Sequence, residues 1–162
     1  MTTAQNLQNK LQTILSGDAW YGPNTYSLLD QIPFEAAYEK PSGSIHSIAG
    51  ILLHMLGWTI EVTDRMNGQV AKEPTGGDWP DPGQPNEDKW HSLISDYKLA
   101  NTVLSGVIQN FAEDKWQQPI KDARNRELGT GVSHLVLIEG LIQHHIYHSG
   151  QIALLSRIVG SL

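Results

Sequence analysis

Apolar side chains recur at helical spacing in four long segments of the chain, and turn-forming residues separate these segments. The four segments cover residues 3–16, 45–66, 86–111 and 131–159. Ser44 is expected to cap the second segment, which stops at Asn67-Gly68. A shorter helix is expected over residues 24–31. The pattern therefore predicts a chain of four main helices.

Two connections in the chain carry little helical signal. Residues 74–85, PTGGDWPDPGQP, contain four prolines and three glycines. They are expected to form a crossover between the second and third helices, although a loop of this kind can also shape substrate entry. Residues 121–129, KDARNRELG, predict a short hairpin and give the only strand signal. The fold class is therefore all-α, a four-helix bundle with a long crossover, in one domain over residues 1–162.

Composition narrows the chemistry that such a bundle can carry. The chain has 17 acidic and 11 basic side chains, a formal net charge of -6 and no cysteine. The absence of cysteine excludes disulfides, iron–sulfur clusters, cysteine-ligated zinc and a protein thiolate nucleophile. The negative charge argues against nucleic acid as a partner. With no signal-peptide pattern and no apolar run of about 18 residues, we expect a cytoplasmic protein without membrane contact.

The chain has seven histidines and no cysteine, so the imidazole nitrogens of histidine would be the main ligands of any metal site. His144 and His148 stand four residues apart in the last helix, so their side chains lie on one face. That face is otherwise apolar, which directs both imidazoles towards the bundle core. His54 shares an apolar face of the second helix with Trp58. Facing helices can bring the three imidazoles together around a divalent metal with open positions, whereas hydrogen-bonded core histidines are the alternative.

The other four histidines receive no metal role. His145 points about 100° away from His144 around the helix, so it is expected at the surface, at an interface or around the ligands. His134 lies too far along the same helix to share a coordination sphere. His46 lies off the face that carries the second-helix ligand, and His91 lies among polar neighbours.

Two segments closely resemble the signature helices of the DinB-like superfamily. They are HSIAGILLHMLGW at residues 46–58 and EGLIQHHIYHSGQIALL at residues 139–155, and residues 18–32 look like that family's first-helix region. The resemblance implies a four-helix bundle of the up-down-down-up type. It also implies a divalent metal bound by His54, His144 and His148. Zinc, nickel, iron and manganese all stay open, because geometry and availability decide which metal three imidazoles hold.

The resemblance also implies an activity. The superfamily includes bacillithiol- and mycothiol-dependent enzymes, so transfer of a low-molecular-weight thiol to an electrophilic small molecule is expected. The thiol would come as a co-substrate, and a metal ion lowers the pKa of a thiol that it binds. Glu61 and Tyr147 are the candidate catalytic residues. Glu61 can hold a neighbouring group of the metal ligands in place or accept a proton. The alternative is that Glu61 is a solvated carboxylate beside Arg65. Tyr147 and Trp58 can line the pocket or belong to the core.

Two other functions stay open at this point. Hydrolysis by metal-activated water needs the same ligands and a general base, and the chain has no HExxH motif. A non-catalytic metal-binding or stress-related protein needs the metal only to tie the second helix to the fourth.

The last helix carries a second apolar arc, on the side away from the histidine pair. Its members are Leu135, Ile138, Ile142, Ile146 and Ala153. A helix that is apolar on two sides is either central in its bundle or covered by another subunit. We predict a homodimer with this helix near the interface.

Overall fold

The computed structural model describes residues 1–124 and 131–160, and helices are the regular elements of this part of the chain. The α-helices are α1 Thr3–Leu15, α2 Thr25–Leu29, α3 Phe34–Tyr38, α4 Ile48–Met66, α5 Glu87–Gln109 and α6 His134–Ile158. A 3-10 turn at Glu113–Lys115 follows α5, and an isolated β-bridge joins Pro119 to Ser133. The predicted all-α bundle is confirmed, with α1, α4, α5 and α6 as its long helices. The short helix α2 was predicted and α3 was not.

Polar side chains set where the helices of the site begin. Helix α4 begins after Ser47, whose hydroxyl accepts a hydrogen bond from the Gly50 N–H at 3.1 Å. The predicted cap at Ser44 is wrong, because its hydroxyl instead donates to the His46 carbonyl at 2.6 Å. Helix α6 begins after Ser133, which caps it in the same way, so it starts three residues later than predicted.

Side-chain contacts fix the direction of α1 relative to its neighbours. Residues near the start of α1 contact the turn after α5, and later residues of α1 contact earlier residues of α5, so these two helices are antiparallel. Along α1 and α6 the residue numbers of the contacting pairs increase together, so these two helices are parallel. The contacts are Thr3 with Glu113, Gln8 with Ser105, Lys10 with Glu139, and Ile14 with Ser149 through the Thr25 hydroxyl.

Backbone hydrogen bonds fix the direction of α4. Just after α4 ends, the Ala71 N–H donates to the Lys121 carbonyl at 2.8 Å, and the neighbouring Ile120 N–H donates to Val132 just before α6 begins. The end of α4 therefore lies beside the start of α6, and these helices are antiparallel. The long helices thus run up, down, down and up, as the resemblance implies.

The connection between α4 and α5 runs back alongside α4. Gly57 lies against Pro74, so close that an added Cβ would stand 3.3 Å from the proline Cβ. Gly50, two turns earlier in the helix, lies against Pro82. Because glycine leaves room for a close approach, residues 74–82 pack directly on α4. The predicted crossover is confirmed.

Helix α6 is central in the bundle. Two members of its predicted second arc, Ile138 and Ile142, are 0% and 7% exposed, and they belong to the core of this chain. Burial of each such side chain stabilises the fold by about 1.5–3 kcal/mol. The arc is therefore covered within the chain and needs no second subunit to explain it. Within the described ranges, no helix is long and apolar enough to cross a membrane.

The predicted hairpin at residues 121–129 falls largely outside the described residues. Its first four positions, 121–124, are described, and residues 125–130 are not. The bridge between Pro119 and Ser133 pairs the two flanking segments in antiparallel fashion.

Candidate metal centre

Three imidazoles converge where α4 packs against α6. The Nε2 atoms of His54 and His144 lie 2.9 Å apart. One donor atom from each of His54, His144 and His148 lies within 4.8 Å of the other two. His54 and His148 are buried, and His144 is half-buried. The structure therefore brings together the three histidines selected from the sequence, in a group that can hold a metal ion.

Oxygen acceptors hold the outer nitrogens of two of these imidazoles. His54 Nδ1 lies 2.6 Å from the Asp78 carbonyl oxygen, and His148 Nδ1 lies 2.6 Å from Oε1 of Gln151. Because these oxygens can only accept, both rings donate from Nδ1 and keep the lone pair on Nε2. Metal-binding histidines are oriented in this manner by a hydrogen bond from the nitrogen that does not bind. Gln151 matches the family pattern in the sequence, but nothing in the sequence assigns it this contact.

His144 differs from the other two because its outer nitrogen has no acceptor. Its Nδ1 is buried and makes no hydrogen bond within the described part of the chain. Its Nε2 faces that of His54 at 2.9 Å, and two nitrogens at that separation can both lie about 2.0–2.1 Å from one ion. Burial and the neighbouring His148 lower the pKa of His144 to about 4. The imidazole is therefore neutral at pH 7, which is the form that binds metal.

The donor set fits a divalent transition metal. Burial also lowers the pKa of His148, so a second neutral imidazole stands beside His144. Nitrogen ligands of this kind suit zinc, nickel and iron, and the described residues add no carboxylate to the cluster. A divalent ion here would have three protein ligands and open positions for substrate.

The loop between α4 and α5 covers one side of the histidines. The Trp79 ring stacks on the His54 imidazole with centroids 3.8 Å apart, and on His46 at 3.7 Å with its other face. The Asp78 carboxylate accepts a hydrogen bond from Trp58 Nε1 at 2.7 Å and lies 3.3 Å from His54 Nδ1. The sequence pattern does not assign Asp78 or Trp79 to the site, because it indicates mainly a connection between helices for this loop. The one sequence feature that could have indicated their role is the Asp-Trp pair in the middle of a segment rich in proline and glycine.

A cavity of about 630 Å³ opens beside the three imidazoles. Its walls are mainly apolar and come from α4, the covering loop and α6. Lining residues include Trp58, Val62, Val136, Leu141 and Tyr147. A concave, mostly apolar space with a few polar groups is typical of a small-molecule site.

The two candidate catalytic residues occupy different places. Tyr147 lines the cavity, is 64% exposed, and packs edge-on against His148 with centroids 5.0 Å apart. Glu61 is 2% exposed, and its Oε1 accepts hydrogen bonds from Arg65 Nε and from the Lys72 N–H, each at 2.9 Å. The solvated alternative for Glu61 is therefore wrong, whereas the pairing with Arg65 is present.

The remaining histidines stay outside the ligand group, and one of them is placed differently from the sequence expectation. His145 is 0% exposed, and its Nε2 lies 3.1 Å from Oδ1 of Asn101. A surface position is therefore wrong, because the central place of α6 buries this face against α5. Burial lowers the pKa of His145 to about 3. His134 Nδ1 donates to the Gln118 carbonyl at 2.7 Å, and His91 is exposed.

Comparison with protein families gives a match over nearly the whole chain. The DinB family profile matches residues 5–161, nearly the whole length of the chain. No curated protein and no solved structure matches it significantly. The matched range includes both helices that carry the three converging histidines. The chain belongs to the DinB family.

Proposed function

We propose that the protein is a divalent-metal-dependent enzyme that transfers a low-molecular-weight thiol to an electrophilic small molecule. One observation carries this proposal: three converging imidazoles, two of them oriented through Nδ1, stand at the wall of an apolar cavity. Membership of the DinB family supports a metal-binding role. The identity of the metal stays open among zinc, nickel, iron and manganese.

The chemistry needs a sulfur atom from outside the chain. A divalent ion held by His54, His144 and His148 would lower the pKa of a thiol that it binds. The chain has no cysteine, so a co-substrate brings that thiol. In the overall reaction the thiol releases its proton to solvent, and its sulfur forms a bond to an electrophilic carbon. The bond from that carbon to the leaving group breaks, and the leaving group departs with the electron pair.

The side chains around the cavity orient the two substrates in this proposal. The apolar walls at Trp58, Val62 and Leu141 exclude water and suit an apolar electrophile. Tyr147 stands exposed at the rim, where its hydroxyl can donate a hydrogen bond to the leaving group. Glu61 acts indirectly, because its carboxylate is bonded to Arg65.

Metal analysis tests the ligand group. Protein purified without a histidine tag should contain close to one divalent ion per chain, and His54→Ala and His148→Ala should each lose it. His91→Ala is the matched control, since His91 is exposed on α5 and should leave the metal content unchanged. Stoichiometric metal in both ligand variants would exclude this site.

An activity assay then separates the proposed function from its two alternatives. Depletion of a thiol by a model electrophile such as 1-chloro-2,4-dinitrobenzene should depend on the protein, stop with a chelator and return with added metal. Ester hydrolysis that follows metal instead, without thiol depletion, would favour the hydrolase. Metal retention with neither activity across several thiols and electrophiles would favour the non-catalytic metal-binding protein.

A further inference from the structure

The cavity beside the histidines has a second polar end. Arg65 lines this end, and it follows His54 by eleven residues on α4, which is about 16 Å of helix rise. The Arg65 side chain points back towards His54, because its guanidinium carbon lies over the Trp58 ring, 5.4 Å from the ring centroid. Trp58 in turn donates to Asp78 beside His54. The imidazoles and the guanidinium therefore stand apart in one cavity, with Trp58 between them.

The Arg65 side chain is buried and rigidly held. It is 7% exposed, its Nε donates to Glu61 at 2.9 Å, and its Nη2 donates to the Lys72 carbonyl at 2.7 Å. The Lys72 N–H donates to the same Glu61 oxygen, so Arg65, Glu61 and Lys72 are joined in one hydrogen-bonded group. A group that is already fixed loses little entropy when a ligand binds to it.

Part of the Arg65 guanidinium stays available to a ligand. A guanidinium has five N–H donors, and the two hydrogen bonds above use two of them. Within residues 1–124 and 131–160, no acceptor takes the other three. The Nη1 and Nη2 edge matches the two oxygens of a carboxylate, so this end of the cavity favours a ligand that carries one.

We propose that Arg65 binds a carboxylate of the co-substrate, so that the thiol used by this protein is an acid. The carboxylate bonds to the free edge of the guanidinium while the sulfur reaches the three imidazoles. Arg65 is thus the residue that determines which thiol is selected. This inference rests on the proposed function for the sulfur end, whereas the carboxylate end depends on Arg65 alone.

Binding of matched probes tests the inference. Glutathione, a tripeptide thiol with two carboxylates, is compared with its dimethyl ester, and S-methylglutathione is compared with its own dimethyl ester. On zinc-loaded protein, titration calorimetry should give each acid a Kd about tenfold or more below that of its ester. The S-methyl pair has no free thiol, so it measures the carboxylate end independently of the metal.

Variants at Arg65 separate recognition from folding. Arg65→Gln should abolish the preference for the acid, but it leaves the Glu61 carboxylate buried without its partner. The double variant Glu61→Gln/Arg65→Gln removes both charges and should also lose the preference, with a folded circular dichroism spectrum. Glu61→Gln alone keeps the guanidinium and should retain it. Arg157→Gln, on the exposed surface of α6, controls for the loss of one positive charge.

Two results would overturn the inference. One is equal affinity of acid and ester in the wild-type protein, and the other is an acid preference that persists in the folded double variant. A preference within the S-methyl pair, together with glutathione binding that zinc does not strengthen, would support the carboxylate end and contradict the proposed thiol function.

Discussion

The indole of Trp79 lies parallel to the imidazole of His54, with the ring planes 4° apart and the centroids 3.8 Å apart. The neighbouring Asp78 carbonyl accepts the hydrogen on Nδ1 of the same imidazole. Two consecutive loop residues therefore fix both the plane of a candidate ligand and the position of its proton. A loop without regular secondary structure thus completes a centre whose ligands lie on helices.

Removal of the Trp79 ring should weaken metal binding. In Trp79→Ala the His54 imidazole loses its stacking partner and gains solvent, so we expect metal affinity to fall by about tenfold or more. Competition with a chromophoric chelator measures this affinity. Trp20→Ala is the control, because Trp20 is 103% exposed and should have no effect. Equal affinities in the two variants would contradict the role of the stack.

Gln151 should orient the His148 imidazole for metal binding, as Trp79 does for His54. In Gln151→Leu the His148 Nδ1–H loses its acceptor at 2.6 Å, and we expect metal affinity to fall by about 10–100-fold. Gln143→Leu on the exposed side of α6 should bind metal as the wild type does. The same competition assay applies, and a Gln151→Leu protein with wild-type affinity would show that the hydrogen bond has no part in ligation.

Acid should destabilise the metal-free protein through His145. Its pKa is about 3 in the folded chain and about 6.5 when unfolded, so the unfolded chain takes up the proton first as pH falls. The stability from this group is complete above pH 6.5 and is lost as pH falls towards 3. From pH 7 to pH 5 the wild type should lose about 2 kcal/mol more free energy of unfolding than His145→Gln.

Urea denaturation at several pH values, with a chelator present, measures this difference. His91→Gln is the control, since the exposed His91 should leave the pH dependence unchanged. Parallel curves for the wild type and His145→Gln would show that His145 does not resist protonation in the folded chain. His144, with a pKa of about 4, acts in the same direction and remains in both proteins.

The buried ion pair should matter far more for stability than an exposed one. Glu61→Leu leaves the Arg65 charge buried without its partner, and we expect a loss of about 3–5 kcal/mol in the free energy of unfolding. Asp30→Leu breaks a pair with Lys98 whose side chains are 56% and 35% exposed, and it should cost below about 1 kcal/mol. Urea denaturation of both variants measures these free energies of unfolding. Similar losses in Glu61→Leu and Asp30→Leu would contradict the expectation.

A homodimer stays a prediction, on a different face of α6 from the predicted arc. Leu154 and Ile158 fall on one side of the helix, outside the cavity, and are 60% and 57% exposed. Light scattering should give twice the chain mass of 17.9 kDa, and Leu154→Glu should give the monomer. Leu99→Glu, at an equally exposed leucine on α5, should remain dimeric. A monomeric wild type would contradict the prediction.

Periodicity made the ligand helices predictable from the sequence. The spacing of His144 and His148 fixes their common face, and a bundle leaves few places for such a face to point. His54 follows from the same reasoning on α4. These predictions succeed because a helix converts sequence spacing directly into direction, independently of which residues surround it.

Contacts made by loops and by buried faces were not predictable in this way. The positions of Asp78 and Trp79 depend on how the loop passes over Gly50 and Gly57, which no local pattern encodes. The burial of His145 depends on α6 being central, a property of the whole bundle. The cap at Ser47 was missed because Ser44 offers the same hydroxyl three residues earlier, and only the three-dimensional turn decides between them.

The parallel course of α4 and α5 has a consequence for how specificity can change in such proteins. Helix α4 has 19 residues, so the chain must return about 28 Å before α5 can begin. An antiparallel pair would need only a short turn, and no segment would then pass over the histidines. The topology itself therefore supplies a replaceable cover. Substitutions in that cover can alter what enters the cavity while the helices and their ligands remain as they are.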